Sequence, residues 1–334
     1  MSHVLDNSQY YAWCKCPVYW FTSYIAGVQK ERPVPRTDAL CLGSLFHNGM
    51  ENWYGKHQIA IDQECIDENT PDKESVDFVL NLLTKYAEKY PSDPWGIESI
   101  EKVYDIELIS NWLAVAKLDK VAVVTTPTEI DSGIDGKPII VPPGRYAIEH
   151  KTKSGWKPRG AYVNSWRRRK QVDFQMLCSG VNGVIVNVAE KPAIRQPTRK
   201  CQGCKETFEF KQWVPIEGQR YQCSSCNHEQ ELKSLTTEQI QGKPPEFFRV
   251  YSTRTPEQLK ASLEEFEAIA WNMQRILDGD LFPVSNTLSC IDENRGYECD
   301  YLIPCESLTD PAEHPGFVKV PDPFAYIGLE TLDA

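Results

Sequence analysis

The sequence lacks any apolar run able to cross a bilayer. Its uninterrupted apolar stretches, such as the VAVV at Val121 to Val124, fall far short of the ~20 residues that a membrane helix needs. It lacks internal repeats and low-complexity segments. It lacks a basic excess, with a formal net charge of −11, which argues against a protein that coats nucleic acid by overall charge. It also lacks the composition of a disordered, collagen-like or coiled-coil chain, since 41% hydrophobic and 25% charged residues are ordinary globular values. Its 334 residues suffice for one large domain or two smaller ones. The opening MSHVLDNSQYYAWCKCP has no basic region followed by an apolar stretch, so a cytoplasmic, reducing setting is expected.

Two features stand out against that background. The first is charge segregation. Residues 151–170 hold eight Lys or Arg and no acid, leaving −19 on the rest, so one basic stretch can hold an anion locally. The second is twelve cysteines, which in a reducing compartment point to metal ligation before disulfides.

The apolar spacing predicts helices over 39–54 and 75–90, and extended chain over 102–125. DSGIDGK (131–137) signals a turn, and strands are expected at 145–152, 183–189 and 247–252. Segments 115–125 and 145–152 are expected as neighbours in one mixed sheet. A single basic helix is expected over 164–180. Thr255-Pro256-Glu257-Gln258 supplies a cap, a first-turn proline and a capping-box partner for a further helix that ends near Gly279.

YAIEHKTK carries the most chemistry. On a strand, Glu149 and Lys151 share one face, and Ile148 and His150 share the other. A carboxylate can hold a divalent cation. A neighbouring lysine can orient or help deprotonate a water and offset charge developing on phosphorus. Alone, E-x-K more often marks a solvated ion pair. Asp119, in AKLDKVAVV, lies where an antiparallel neighbour would stand beside Glu149, and two carboxylates at one sheet edge suit Mg²⁺ or Mn²⁺. Asp119 could equally pair with Lys120, His47 could be a core histidine, and Gln171 and Gln175 could be surface glutamines sharing a helix face.

Together these motifs resemble the RecB-like branch of the PD-(D/E)xK nuclease superfamily, the branch of the AddB nuclease domain, the CRISPR-associated adaptation nucleases and many phage exonucleases. GSLFH (43–47) is similar to the family's G-x-x-x-H helix, LDKVAVV to its aspartate motif, IEHKT to its E-x-K pair and DFQMLCSG to its glutamine motif. The resemblance implies a restriction-endonuclease-like α/β fold, with a mixed central sheet flanked by helices. It implies metal ligation by Asp119, Glu149, His47 and the backbone carbonyl of His150, action of Lys151 on the water and transition state, and a positioning role for Gln175. The family places a Tyr three or four residues after that glutamine. Here Cys178 and Ser179 stand there, so Gln171 stays an alternative.

Cys201-x2-Cys204 and Cys223-x2-Cys226 are two knuckles at zinc-ribbon spacing, a small unit whose folding would lean on the metal. Its job could be DNA grip, partner docking or structural closure. Cys290, Cys299 and Cys305 need a fourth ligand. Here too the chain resembles RecB-like proteins that clamp their ends with a 4Fe-4S cluster, which implies Cys16, followed by Pro17, as that ligand. Cys14 could replace Cys16, and buried thiols or a second zinc are the alternatives.

The expected organisation is a nuclease core over 1–195, a zinc-ribbon insertion over 196–235 and the rest of the core over 236–334. The resemblance implies a metal-dependent DNA exonuclease acting on single strands or duplex ends, in a prokaryotic cell or phage-infected host. It implies roles in DNA repair or recombination, with a helicase or recombination protein as partner. Arg167, Arg168, Arg169 and Lys170 are the expected contacts to the DNA backbone. The rivals are a flap or fragment-trimming endonuclease and a non-catalytic DNA-binding scaffold. The presence of both acids and the lysine favours an enzyme.

Overall fold

The computed structural model describes residues 3–320, apart from 133, 135–136, 156–157, 192–197, 210–212, 218–219, 233–244, 287–289, 293–296 and 308–309. The chain opens with strand β1 (His3–Leu5) and helix α1 (Asn7–Lys15), which Asp6 caps by accepting from Gln9 N at 2.8 Å. A short helix α2 (Pro17–Trp20) runs into a π-turn (Phe21–Ile25) and strand β2 (Val28–Lys30). Three helices follow: α3 (Ala39–Lys56), α4 (Gln63–Asn69) and α5 (Lys73–Lys89). Asp38 and Asp72 cap α3 and α5.

The extended stretch forms two long strands, β3 (Gly96–Ile109) and β4 (Trp112–Val124), joined at Asn111 in left-handed backbone (φ 67°). Strands β5 (Thr128–Asp131) and β6 (Pro138–Val141) pair across the predicted turn, and β7 (Gly144–Ser154) carries the E-x-K segment. Helices α6 (Arg159–Trp166) and α7 (Lys170–Ser179) cross over to β8 (Gly183–Lys191), parallel to β7. The small strands β9 (Thr198–Lys200), β10 (Thr207–Glu209), β11 (Trp213–Glu217), β12 (Arg220–Cys223) and β13 (Glu229–Glu231) form two separate sheets. Strand β14 (Glu246–Ser252) then returns antiparallel to β8, and helix α8 (Pro256–Leu277) follows, with the capping box at Thr255 and Gln258.

The result is a mixed α/β architecture. A six-stranded sheet of order β1-β4-β7-β8-β14, with β3 also on β4, is flanked by helices. One face buries α1, α7 and α8, where Phe174 stacks on Phe266 at 4.0 Å between ring centres. The other buries α3 and α5 through Leu45, Phe46, Leu82 and Leu83. These helices approach closely at Gly49, where a Cβ would lie 2.2 Å from Leu83 Cδ1.

One expectation is corrected. Residues 164–180 are not a single helix, because the chain turns between α6 and α7 and Arg169 is extended (φ −75°, ψ 128°). Two carbonyls at this turn have partners at the end of β14 and just beyond it. Ser252 Oγ donates to Trp166 O at 3.3 Å, and Arg254 donates to Arg169 O at 2.9 Å while pairing with Asp173.

Beneath the sheet end lies a buried charge network. Asp93 accepts from Lys120 at 3.0 Å and from Arg249, and all three side chains are at most 4% exposed. Lys120 Nζ sits 3.0 Å from the centre of the Tyr54 ring, and the Arg249 guanidinium packs on Tyr90 and Trp95. Burial pushes Lys120 down to about 8 against the pull of Asp93. Removing the single anion leaves two buried cations uncompensated. Asp93→Asn is expected to lower the unfolding free energy by about 3–5 kcal/mol in urea denaturation, and a loss below about 1 kcal/mol would contradict this account of the network.

Candidate active site

The site is built where two strands part. The antiparallel ladder of β4 and β7 runs from Val124–Gly144 to Lys120–Ile148 and stops. The next opposed pair in that register is Asp119 and Glu149. Asp119 Oδ2 instead accepts the His150 backbone N–H at 2.7 Å, so a side chain takes a ladder position. Helix α3 delivers His47, whose Nδ1 lies 3.2 Å from Asp119 Oδ2. His47, Asp119 and Glu149 each offer a ligand atom within 4.8 Å of the others. This mixed oxygen and imidazole set fits Mg²⁺ or Mn²⁺.

Alternation along β7 places the remaining groups as the sequence predicts. Lys151 pairs with Glu149 Oε1, and Gln175 Nε2 from α7 donates to Glu149 Oε2 at 2.6 Å. Glu149 is 2% exposed, so both of its oxygens are served by protein donors in a buried setting. Of the two glutamines, Gln175 makes this contact. The His150 ring lies on the opposite face, stacked on Tyr54 at 5.4 Å and within 3.4 Å of the Asn187 amide. Only its backbone carbonyl is left for the acidic face.

Electrostatics follow from this packing. Burial opposes a charge on His47, but Asp119 outweighs it and raises the imidazole. Burial likewise opposes ionised Asp119, yet His47 and Lys151 hold its carboxyl well below the usual carboxylate range. Burial also disfavours the Lys151 ammonium, and Glu149 and Asp119 overcome that and raise it. Burial pushes His150 down to about 3, so its ring stays neutral.

A cleft of about 740 Å³ opens over this centre. His47, Asp119 and Lys151 line it, together with Lys117, Tyr162, Arg169 and Lys191, of which only Arg169 was singled out from the sequence. Lys191 has no acidic partner among the described residues, and burial alone lowers its ammonium. Its one sequence signal is its place at the end of a strand. The basic run divides. Arg167 and Arg168 are exposed on the turn, and Arg169 stacks over Trp166 at 4.5 Å on the cleft wall. Lys170 points into the protein, where Glu265 holds it at 2.6 Å and Asp173 at 3.5 Å. Those acids compete with any outside anion for the Lys170 ammonium.

Cys201, Cys204, Cys223 and Cys226 converge within 4.8 Å between β8 and β14. Each knuckle closes with a backbone bond, Lys205 N to Cys201 O and Asn227 N to Cys223 O, and turns out through left-handed Lys205 and Asn227. Four thiols in this arrangement suit zinc. Elsewhere, Cys16 Sγ accepts from Asn286 N at 3.3 Å, four residues before Cys290. Cys299 N donates to Cys290 O at 2.7 Å, and Cys305 N donates to Tyr301 O a turn later. Cys14 sits instead beside Tyr10 and Glu265. Among the described residues this second set is not gathered within 4.8 Å as the first is. Tyr301 ties the ends further by donating to Val28 O at 2.5 Å, and Phe317–Lys319 pairs with β2.

No curated protein matches the chain. It is similar to the crystal structure of a "Putative exonuclease" from Eubacterium rectale, at 10% identity over 90% of this chain and 87% of that one, with a TM-score of 0.43. The family model described as the PD-(D/E)XK nuclease superfamily matches residues 7–137, a span that holds His47 and Asp119 and ends before Glu149, Lys151 and Gln175. Over that span the chain is similar to the PD-(D/E)XK nuclease superfamily.

Proposed function

We propose that the protein is a metal-dependent DNA nuclease, acting as an exonuclease on single strands or duplex ends. The observation that carries this reading is the convergence of His47, Asp119 and Glu149 within 4.8 Å beside Lys151, with His47, Asp119 and Lys151 lining an open cleft. A bound Mg²⁺ or Mn²⁺ would polarise a phosphoryl oxygen and acidify a water. Asp119 and Glu149 hold the site's negative charge, and His47 fixes Asp119. Lys151, kept charged by its two acids, orients the water and offsets charge that develops on phosphorus. Gln175 holds Glu149 in place from behind. Removing Lys151 deletes an interaction that strengthens in the transition state, so Lys151→Ala is expected to lose at least about 100-fold in cleavage rate while retaining oligonucleotide binding. Asp119→Asn and Glu149→Gln should lose cleavage together with Mn²⁺ affinity. The assay is degradation of a labelled oligonucleotide with Mn²⁺, stopped by EDTA, and near-parental turnover of Lys151→Ala would sink the mechanism.

The cysteine groups are read as two metal sites within one three-part organisation. The knuckles form a zinc ribbon inserted over 196–235, and Cys16, Cys290, Cys299 and Cys305 hold a 4Fe-4S cluster that joins the chain ends. Protein purified without oxygen should contain both metals. Cys201→Ser should lose zinc and keep iron, and Cys299→Ser should bleach the brown colour and keep zinc. Two zinc ions and no iron in such a preparation would reject the cluster.

The strand's path is assigned to the cleft wall. Arg169 and Lys191 face the cleft, while Lys170 is held by its own acids. Each lost phosphate contact removes roughly 0.7 from the salt slope of single-strand binding. Arg169→Glu and Lys191→Glu should each flatten the slope by at least that much, whereas Lys170→Gln should leave it unchanged. Unaltered slopes in both charge reversals would move the track elsewhere, with exposed Arg167 and Arg168 next to be tested.

A further inference from the structure

Helix α3 holds three glycines, and their surroundings differ. A glycine inside a helix destabilises it relative to alanine, so its presence asks for a reason. At Gly49 the reason is packing, since a Cβ there would lie 2.2 Å from Leu83 Cδ1. At Gly43 and Gly55 a Cβ would meet nothing within 4 Å. Gly55 is exposed and lies two residues before the left-handed cap at His57. Gly43 lies well inside the helix, four residues before His47 and on the same face, and it lines the catalytic cleft. Its backbone is helical, so neither conformation nor packing within the protein accounts for the missing side chain. The room it leaves opens into the cleft.

The wall around Gly43 is also distinct in charge. Among the described residues that line the cleft, α3 contributes one acid, Glu51, and no Lys or Arg. Ala39 and Leu40 stand beside Gly43, and Leu40 is 63% exposed. The opposite wall carries Tyr162 of α6, Arg169 of the turn after it, and Lys191 at the end of β8. Because α3 packs on one face of the sheet and α6 on the other, the cleft has a basic side and an apolar side. A single strand of nucleic acid is divided in the same way, with phosphates along one edge and bases along the other. A duplex turns charged backbone outward on both of its strands.

We propose that Gly43 is a substrate-contact position, and that the cleft takes a single strand with its phosphates toward Arg169 and Lys191 and its sugar and base edge against α3 at Gly43 and Leu40. The inference rests on the nuclease reading of the centre and narrows its substrate to a strand already parted from its complement. The missing Cβ lets that strand approach the helix backbone one turn before His47.

The test compares two glycines of one helix in the full chain. Binding of a labelled mixed-sequence oligonucleotide is measured in EDTA, so that it is read apart from cleavage. Gly43→Leu places a side chain where the strand must pass and should weaken binding by at least about tenfold. Gly43→Ala should weaken it less while raising the midpoint of thermal unfolding, because alanine is the better helix former. Where Gly43→Leu folds poorly, that alanine variant carries the test. Gly55→Ala and Gly55→Leu should bind as the parent does. The blunt duplex of the same oligonucleotide should bind the parent at least about tenfold less tightly than the single strand. Parent-like binding by the Gly43 variants would overturn the contact, as would a loss that appears only together with a loss of Mn²⁺ affinity. Equal affinity for strand and duplex would overturn the choice of substrate. If the Gly43 variants weaken strand binding and no substrate is cut with Mn²⁺, the contact stands and the nuclease reading falls.

Discussion

A single hydrogen bond organises the site: the His150 backbone N–H given to the Asp119 carboxylate. A ladder between β4 and β7 that continued would close the sheet and leave the two acids as ordinary neighbours. Because the side chain accepts in place of a carbonyl, the strands part there and the gap becomes the floor of the cleft. The same bond anchors Asp119 from one side while His47 anchors it from the other. Two carboxylates and a lysine are thereby fixed close together before any ligand arrives, which is where preorganised electrostatics gain their advantage over water.

The cost of that opening is met on the opposite face. The backbone between Asp119 and Ile148 carries Lys120, whose charge is buried and held by Asp93. From Asp93 the contacts pass through Arg249 to Asn187 and on to the His150 ring. Charged groups line both faces of the sheet at one point, Asp119, Glu149 and Lys151 on one side and Asp93, Lys120 and Arg249 on the other. The arrangement is expensive in desolvation and tolerable only because every charged member has a partner. It makes the fork rigid from behind without placing bulk in the cleft.

Much of this was legible in the sequence, for reasons that differ by element. The α3, α5 and α8 helices and the β7, β8 and β14 strands announce themselves by period and caps, which are local properties. Asp119 and Glu149 could be placed opposite each other because register follows alternation. Four short motifs in order brought in His47 and Gln175, which no single motif would have. The turn at Arg167–Arg169 was invisible because the partners that stabilise it, Ser252 and Arg254, lie some 85 residues further along. Asp93 sits in a proline-flanked segment that reads as a surface turn, and only the tertiary fold buries it. Lys191 owes its interest to what surrounds it, and its place at a strand end is too common a feature to single it out.

The cysteine-bearing segment leaves the sheet after Lys191 and rejoins it at Glu246, and Glu190 and Glu246 are directly paired in register. Arg159 bridges both carboxylates, so exit and return are held together by the core itself. The ends of the excursion are therefore fixed whatever length lies between them. Closing a loop across ends already held close adds only a slowly growing entropy with length. In architectural terms the segment hangs from a closed clasp, and β8, β14 and the fork keep their register by contacts of their own.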